Sequence, residues 1–255
     1  MIIKNSSKQY NFYNKSMHAS RVNFMKSHGI QTFTGELDTL KLNSFLIVWT
    51  YWSIKMTEQV EGWIRRAGES CVKSNLVEVG SQLKRHSAQE ANHDQMLVAD
   101  LDYLLIEWNK KYSDQLTTSI LETMGMPNAS NKYISLHEMV INGSAPYSQV
   151  AIEFEIERIS VMYGPKMLEN VLYVLGSEYA KGLSFLTDHV LLDQGHTKFN
   201  ADLLERCFKS NANVFELIST GEAALNIYAE FLNQCSNIAD KISERAKCNN
   251  SNINL

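Results

Sequence analysis

From Leu42 to Glu69 the large apolar residues Trp49, Trp52, Met56, Val60 and Trp63 recur every three or four positions, the period of one helix face. Breakers are scarce throughout, with three prolines and 12 glycines in 255 residues. A chain so poor in turn residues is a bad candidate for a sandwich of many short strands. With 44% hydrophobic residues it can bury a sizeable core, and the expected fold is all-α.

The rest of the chain fits that expectation. A second helix is expected from Ser74, acting as N-cap, to about Lys110. Pro127, Asn128 and Ser130 then interrupt the pattern. In "YSQVAIEFEIERISVMYG", Ile152, Phe154 and Ile156 alternate with Glu153, Glu155 and Glu157, a strand-like period of two. A lone strand would have no partner here, so this segment is also expected to be a helix, ending at Gly164-Pro165. Further helices are expected over 166–176, stopped by Gly176, from about Glu178 to Phe208, and over 211–235. Together they predict a single helical-bundle domain of about seven helices over residues 1–240, then a polar, frayed tail over 241–255.

Charge narrows the partners. The net charge is -4 and there is no polybasic run, so nothing suggests a nucleic-acid partner. The longest apolar run, Phe45 to Trp49, is far too short to span a bilayer, and no secretory leader is visible. The four cysteines are far apart and read as free thiols, so a cytoplasmic location is expected.

Two segments carry chemistry. "HVLLDQGH" sets His189, Asp193 and His196 at i, i+4 and i+7, and "HSAQEANH" sets His86, Glu90 and His93 at the same spacing. On a helix such positions share a sector of roughly 60°. Mixed imidazole and carboxylate donors suit iron or manganese better than calcium, and the absence of thiolates argues against a structural zinc. Helical bundles that hold two iron ions use inward carboxylates and Glu-x-x-His pairs. Here Glu90-x-x-His93 matches, with Asp193-x-x-His196 as its counterpart. Of the remaining carboxylates Glu157 is the best candidate, Glu153 shares its face, and Glu155 points elsewhere. From the first helix the spacing leaves Glu58 and Glu61 both open. His18, His28 and His137 are assigned no role.

At these residues the chain resembles the heme-oxygenase-like diiron oxidases, a group that includes the CADD-like proteins and shares its fold with the TenA-like ones. The resemblance lies in "EANHDQMLVADLDYL", in "EIERISVMYGPKMLENVLYVLG" and, most specifically, in "LSFLTDHVLLDQGHTKFN", and it spans roughly Phe45 to Leu204. It implies a heme-oxygenase-like bundle with Glu90, His93, Glu157, His189, Asp193 and His196 as iron ligands. Glu58 would be the first-helix ligand, with Glu61 second. Some members carry a glutamate where His86 stands, so His86 would be an extra ligand, a supporting group or a bystander. The implied activity is O2 activation at two iron ions, with manganese as the alternative metal, to oxidise a small amine, amino acid or fatty acid. A homodimer is compatible with the sequence. Two alternatives stand beside this reading: a metal-independent TenA-like hydrolase, which needs a nucleophilic cysteine, and a non-catalytic interaction protein with a vestigial site.

Overall fold

The computed structural model describes residues 7–35 and 38–251, without the side chains of 192–194, 250 and 251. The described residues form α-helices joined by short turns, with no strand among them. Three short helices, α1 (Lys8–Ser16), α2 (His18–Met25) and α3 (His28–Thr34), precede α4 (Thr39–Thr57). Asp38 caps α4 by accepting from Lys41 N at 2.7 Å. The run Phe45 to Val48 is wholly buried, so α4 is apolar nearly all round and runs through the core.

The expected helix from Leu42 to Glu69 is two helices. α4 stops at Thr57 and α5 (Val60–Lys73) starts after a break at Glu58 and Gln59. On α5, Trp63 stacks on the His137 ring, with centroids 4.2 Å apart, and meets Tyr133 edge-on. The expected helix from Ser74 to Lys110 is also divided, into α6 (Val77–Ser87) and α7 (His93–Lys111). Asn92 takes a left-handed conformation (φ 68°) between them, which asparagine tolerates well. Ser74 caps the end of α5 rather than opening the next helix. Helices α5 and α6 touch through Gly68 and Gly80. A Cβ on Gly80 would sit 2.4 Å from the Gly68 carbonyl oxygen, so only glycine permits this approach.

After α8 (Thr118–Thr123) and α9 (Asn128–Asn142), the segment with the strand-like alternation is helical, as expected, in α10 (Gln149–Leu175). The helix does not end at Gly164-Pro165. Pro165 lies inside it, where a proline typically costs about 3 kcal/mol, and Met167, Val171 and Leu175 beyond it are buried against the core. Gly164 marks a helix contact instead: a Cβ there would fall 2.5 Å from Val190 Cγ2 on α11 (Ser184–Lys209). Gly176, at φ 108°, is the actual stop.

The last helix, α12 (Val214–Ser251), packs against α3, α4, α9 and α10. Ile242 and Ala246 are fully buried, and Arg245 Nε donates to Asp114 at 2.7 Å. Residues 241–251 therefore continue α12, packed as far as Ala246, rather than forming the expected frayed tail, and 252–255 lie outside the described residues. No helix among the described residues is long and apolar enough to cross a membrane. All four cysteines are free.

Candidate metal centre

The ends of α6 and α7, the turn between them, and the middles of α10 and α11 deliver one polar cluster into the apolar interior. His86, in the last turn of α6, is fully buried, with Nε2 3.1 Å from Glu157 Oε1 and 3.9 Å from both Glu90 and Glu153. Glu90 sits in the turn. Its Oε2 lies 2.8 Å from His93 Nδ1, and its Oε1 lies 3.4 Å from His196 Nδ1. The His93 and His189 rings meet edge-on with centroids 4.7 Å apart.

The expected likeness of the two motifs is thus only partly geometric. His189 and His196 belong to one continuous helix, α11. His86, Glu90 and His93 do not share a helical face, because the chain turns at Asn92. The turn still brings the three together, with Glu90 between the two imidazoles. Asp193 belongs to α11, but its side chain lies outside the described residues.

Two trios of donor atoms, Glu90 with His93 and His189, and His86 with Glu90 and Glu157, each lie within 4.8 Å of one another. Donors around one transition-metal ion, at about 2.0–2.2 Å from it, lie up to roughly 4.4 Å apart. Small side-chain adjustments would close either trio, and Glu90 belongs to both. Glu90 Oε1 is buried without a hydrogen bond. Such an orphaned oxygen is costly in an apolar interior unless something else satisfies it, and a cation held between the trios would. The donor set therefore fits a transition-metal pair.

Supporting residues fix the cluster. Asn200 Nδ2 donates to Glu157 Oε2 at 2.7 Å. The His189 Nδ1 is 2.7 Å from the Phe185 carbonyl oxygen one turn earlier, so that nitrogen carries the proton and Nε2 is the nitrogen suited to a metal. Asp100 on α7 accepts from Ser184 N, Ser184 Oγ and Phe185 N, capping α11 and setting its height against α7. Behind Glu153, Gln149 Nε2 donates to Glu153 Oε1 and also lies 2.9 Å from His137 Nδ1.

Burial sets the titration. It pushes the Glu153 carboxyl up to about 8 against the pull of His86, with Glu157 and Glu90 acting the same way as burial. For Glu90, burial also works upward, but the imidazoles of His93, His86 and His196 outweigh it and hold the carboxyl below its ordinary value. Burial lowers His137 to about 4, which keeps its imidazole neutral.

The first-helix candidates fall outside the cluster. Glu58 is exposed at the end of α4 and pairs with Lys55 at 3.5 Å, and Glu61 is exposed on α5. The face that α4 turns to the cluster runs through Trp49, Ser53, Met56 and Thr57. Glu58 lies about 100° round the helix from Thr57, so the inward face carries no carboxylate. Glu153 supplies the additional buried carboxylate instead. Asn200 was legible as the next turn of the His196 stripe (i+4), and Asp100 as the continuation of the His93 face (i+7), but neither was singled out.

Trp49, Met56, Tyr133, Ile156, Phe185 and Tyr228 join the cluster around a cavity of about 120 Å³. No cysteine lines it among the described residues. Cys71, Cys207 and Cys235 are buried, and burial raises all three thiols, Cys71 to about 12.

No protein-family model matches the chain, and no curated protein is similar to it in sequence. Solved structures are similar in fold. A domain of unknown function with a heme oxygenase-like fold from Shewanella denitrificans OS217 superposes with a TM-score of 0.71 at 14% identity, covering 97% of each chain. A TenA homolog from Pseudomonas syringae pv. tomato DC3000 gives a TM-score of 0.63 at 12% identity, covering 92% of this chain and 99% of its own. The helical frame that brings the imidazoles and carboxylates together is therefore a heme-oxygenase-like fold.

Proposed function

We propose that the protein is a non-heme dinuclear-iron oxidase that uses O2 to oxidise a small organic substrate in the cavity beside the cluster. One observation carries the reading: two partly buried donor trios that share Glu90, set against an aromatic cavity. The proposed ligands are Glu90, His93, Glu157, His189 and His196. Asp193 is added from its position on α11, and manganese is the alternative metal. His86 and Glu153, which the cluster includes, are proposed to complete the set in place of a first-helix carboxylate.

Bound iron would supply the electrons and open coordination positions that O2 reduction requires. The chain supplies the rest. Glu90 offers one oxygen to each trio. Asn200 holds one oxygen of Glu157 and so orients the other toward His86. The Phe185 carbonyl fixes the tautomer of His189. The aromatic walls offer an apolar surface to a substrate, and the cavity volume restricts that substrate to a small molecule.

A TenA-like hydrolase is the weaker reading, because the cavity offers no thiol nucleophile among the described residues. Ferrous iron added under nitrogen, followed by a measured pulse of O2, tests the proposal. Iron-dependent O2 uptake with a transient visible absorption is expected. Iron-loaded protein that consumes O2 no faster than free ferrous iron would overturn it.

A further inference from the structure

A second cavity, of about 200 Å³, lies on the other side of α10. Phe24, Ile159, Tyr163 and Leu225 give it apolar walls, and Arg21 and Arg158 both reach it. The two arginines differ in what they already hold. Arg21 donates from Nε and Nη2 to Glu155, and from Nη1 to Asn14 Oδ1. Glu155 in turn accepts from the Tyr13 hydroxyl, so this pair is saturated. Arg158 is half-buried and makes no hydrogen bond or ion pair among the described residues. Its contact within the protein is the Phe154 ring, whose centroid lies 5.5 Å from the guanidinium carbon. Burial, and then the charge of Arg21, hold Arg158 below the ordinary arginine range, against the pull of Glu155, which also lines the cavity but is already bound by Arg21 and Tyr13.

A half-buried guanidinium with no directly bonded partner is costly unless an anion reaches it, and its planar fork suits a carboxylate. We propose that this cavity binds a small organic carboxylate, its charged end on Arg158 and its apolar body against Phe24, Ile159 and Tyr163. Met25 and Met162 stand exposed at its edge and mark the mouth. Ile159 also lines the metal cavity, and Phe24 stacks on Tyr228 of that cavity, so a single layer of side chains separates the two. The site does not depend on the metal reading, since none of the proposed ligands lines it.

Calorimetric titration of the full chain with phenylacetate, and with uncharged phenylacetamide as control, tests the inference. Saturable binding of the acid and not of the amide is expected. Arg158→Gln should weaken it by about 10- to 100-fold, the worth of a lost charged hydrogen-bond pair, and Arg158→Lys should restore part of it. Met162→Glu, a change at an exposed position, should weaken it too and serves if Arg158→Gln fails to fold. No binding of phenylacetate, equal binding of the amide, or binding unchanged in either charge variant would overturn the proposal. Chelating all metal should leave the binding intact; loss on chelation would place the acid at the metal centre and overturn it as well.

Discussion

Helix α10 carries three buried glutamates, and its two faces treat them differently. Glu155 meets Arg21 at 2.6 Å and the Tyr13 hydroxyl at 2.9 Å, so its charge is balanced within the protein. Glu153 and Glu157, on the opposite face, each meet the His86 imidazole and a side-chain amide, of Gln149 and Asn200 respectively. A neutral imidazole does not balance a carboxylate's charge and can itself bind a metal, so a cation can sit between the two. The same residue type, almost equally buried, is thus a structural brace on one face and a candidate ligand on the other. What differs is the partner across the gap.

That contrast can be broken by substitution. Glu155→Ala leaves Arg21 buried without its carboxylate and should destabilise the fold by about 3–5 kcal/mol, read from denaturant unfolding, while iron bound per folded chain stays the same. Glu157→Gln should do the reverse, abolishing stoichiometric iron binding while the metal-free protein stays within about 1 kcal/mol of the parent. If both variants lost stability and iron alike, the two faces would be one network and the contrast would fail.

A pH titration sharpens the picture behind Glu153. His137 is held near 4 when folded, against 6.5 for the free group. The stability tied to its neutral form is complete above pH 6.5 and is lost as pH falls toward 4, about 3 kcal/mol in all. His137→Gln should flatten the decline in that window; an unchanged slope would place the acid sensitivity elsewhere. Smaller effects follow for the supports. Asp100→Ala removes the cap of α11 and should cost about 1–2 kcal/mol, with weaker iron binding because His189 loses its fixed height. Smallest of all, Glu58→Ala should change stability by less than about 0.5 kcal/mol and leave iron content untouched, since its partner Lys55 is a surface lysine. Loss of iron in that variant would return Glu58 to the ligand set.

Much of this was legible in the sequence. Apolar periodicity and the lack of breakers predicted the helical class, and the choice of helix over strand for the alternating Glu/Ile segment agrees with α10. Glu155 was read as pointing away from Glu153 and Glu157, and it does. Helix ends were less readable. Pro165 looked like a stop because its local cost is large, but the core contacts of Met167 and Val171 outweigh that cost. The break at Asn92 was invisible because "HSAQEANH" contains no glycine or proline, and a single left-handed asparagine made the turn. Glu58 was misplaced for a different reason: approximate spacing did not resolve which face of α4 it occupies, and at the end of that helix it points to solvent.

A crystal of the iron-loaded protein, measured for anomalous scattering at the iron edge, tests the central claim most directly. Two peaks flanking the Glu90 carboxylate are predicted, one beside His93 and His189 and the other beside His86 and Glu157. A cluster that holds no iron after loading, or peaks confined to surface histidines, would contradict the account.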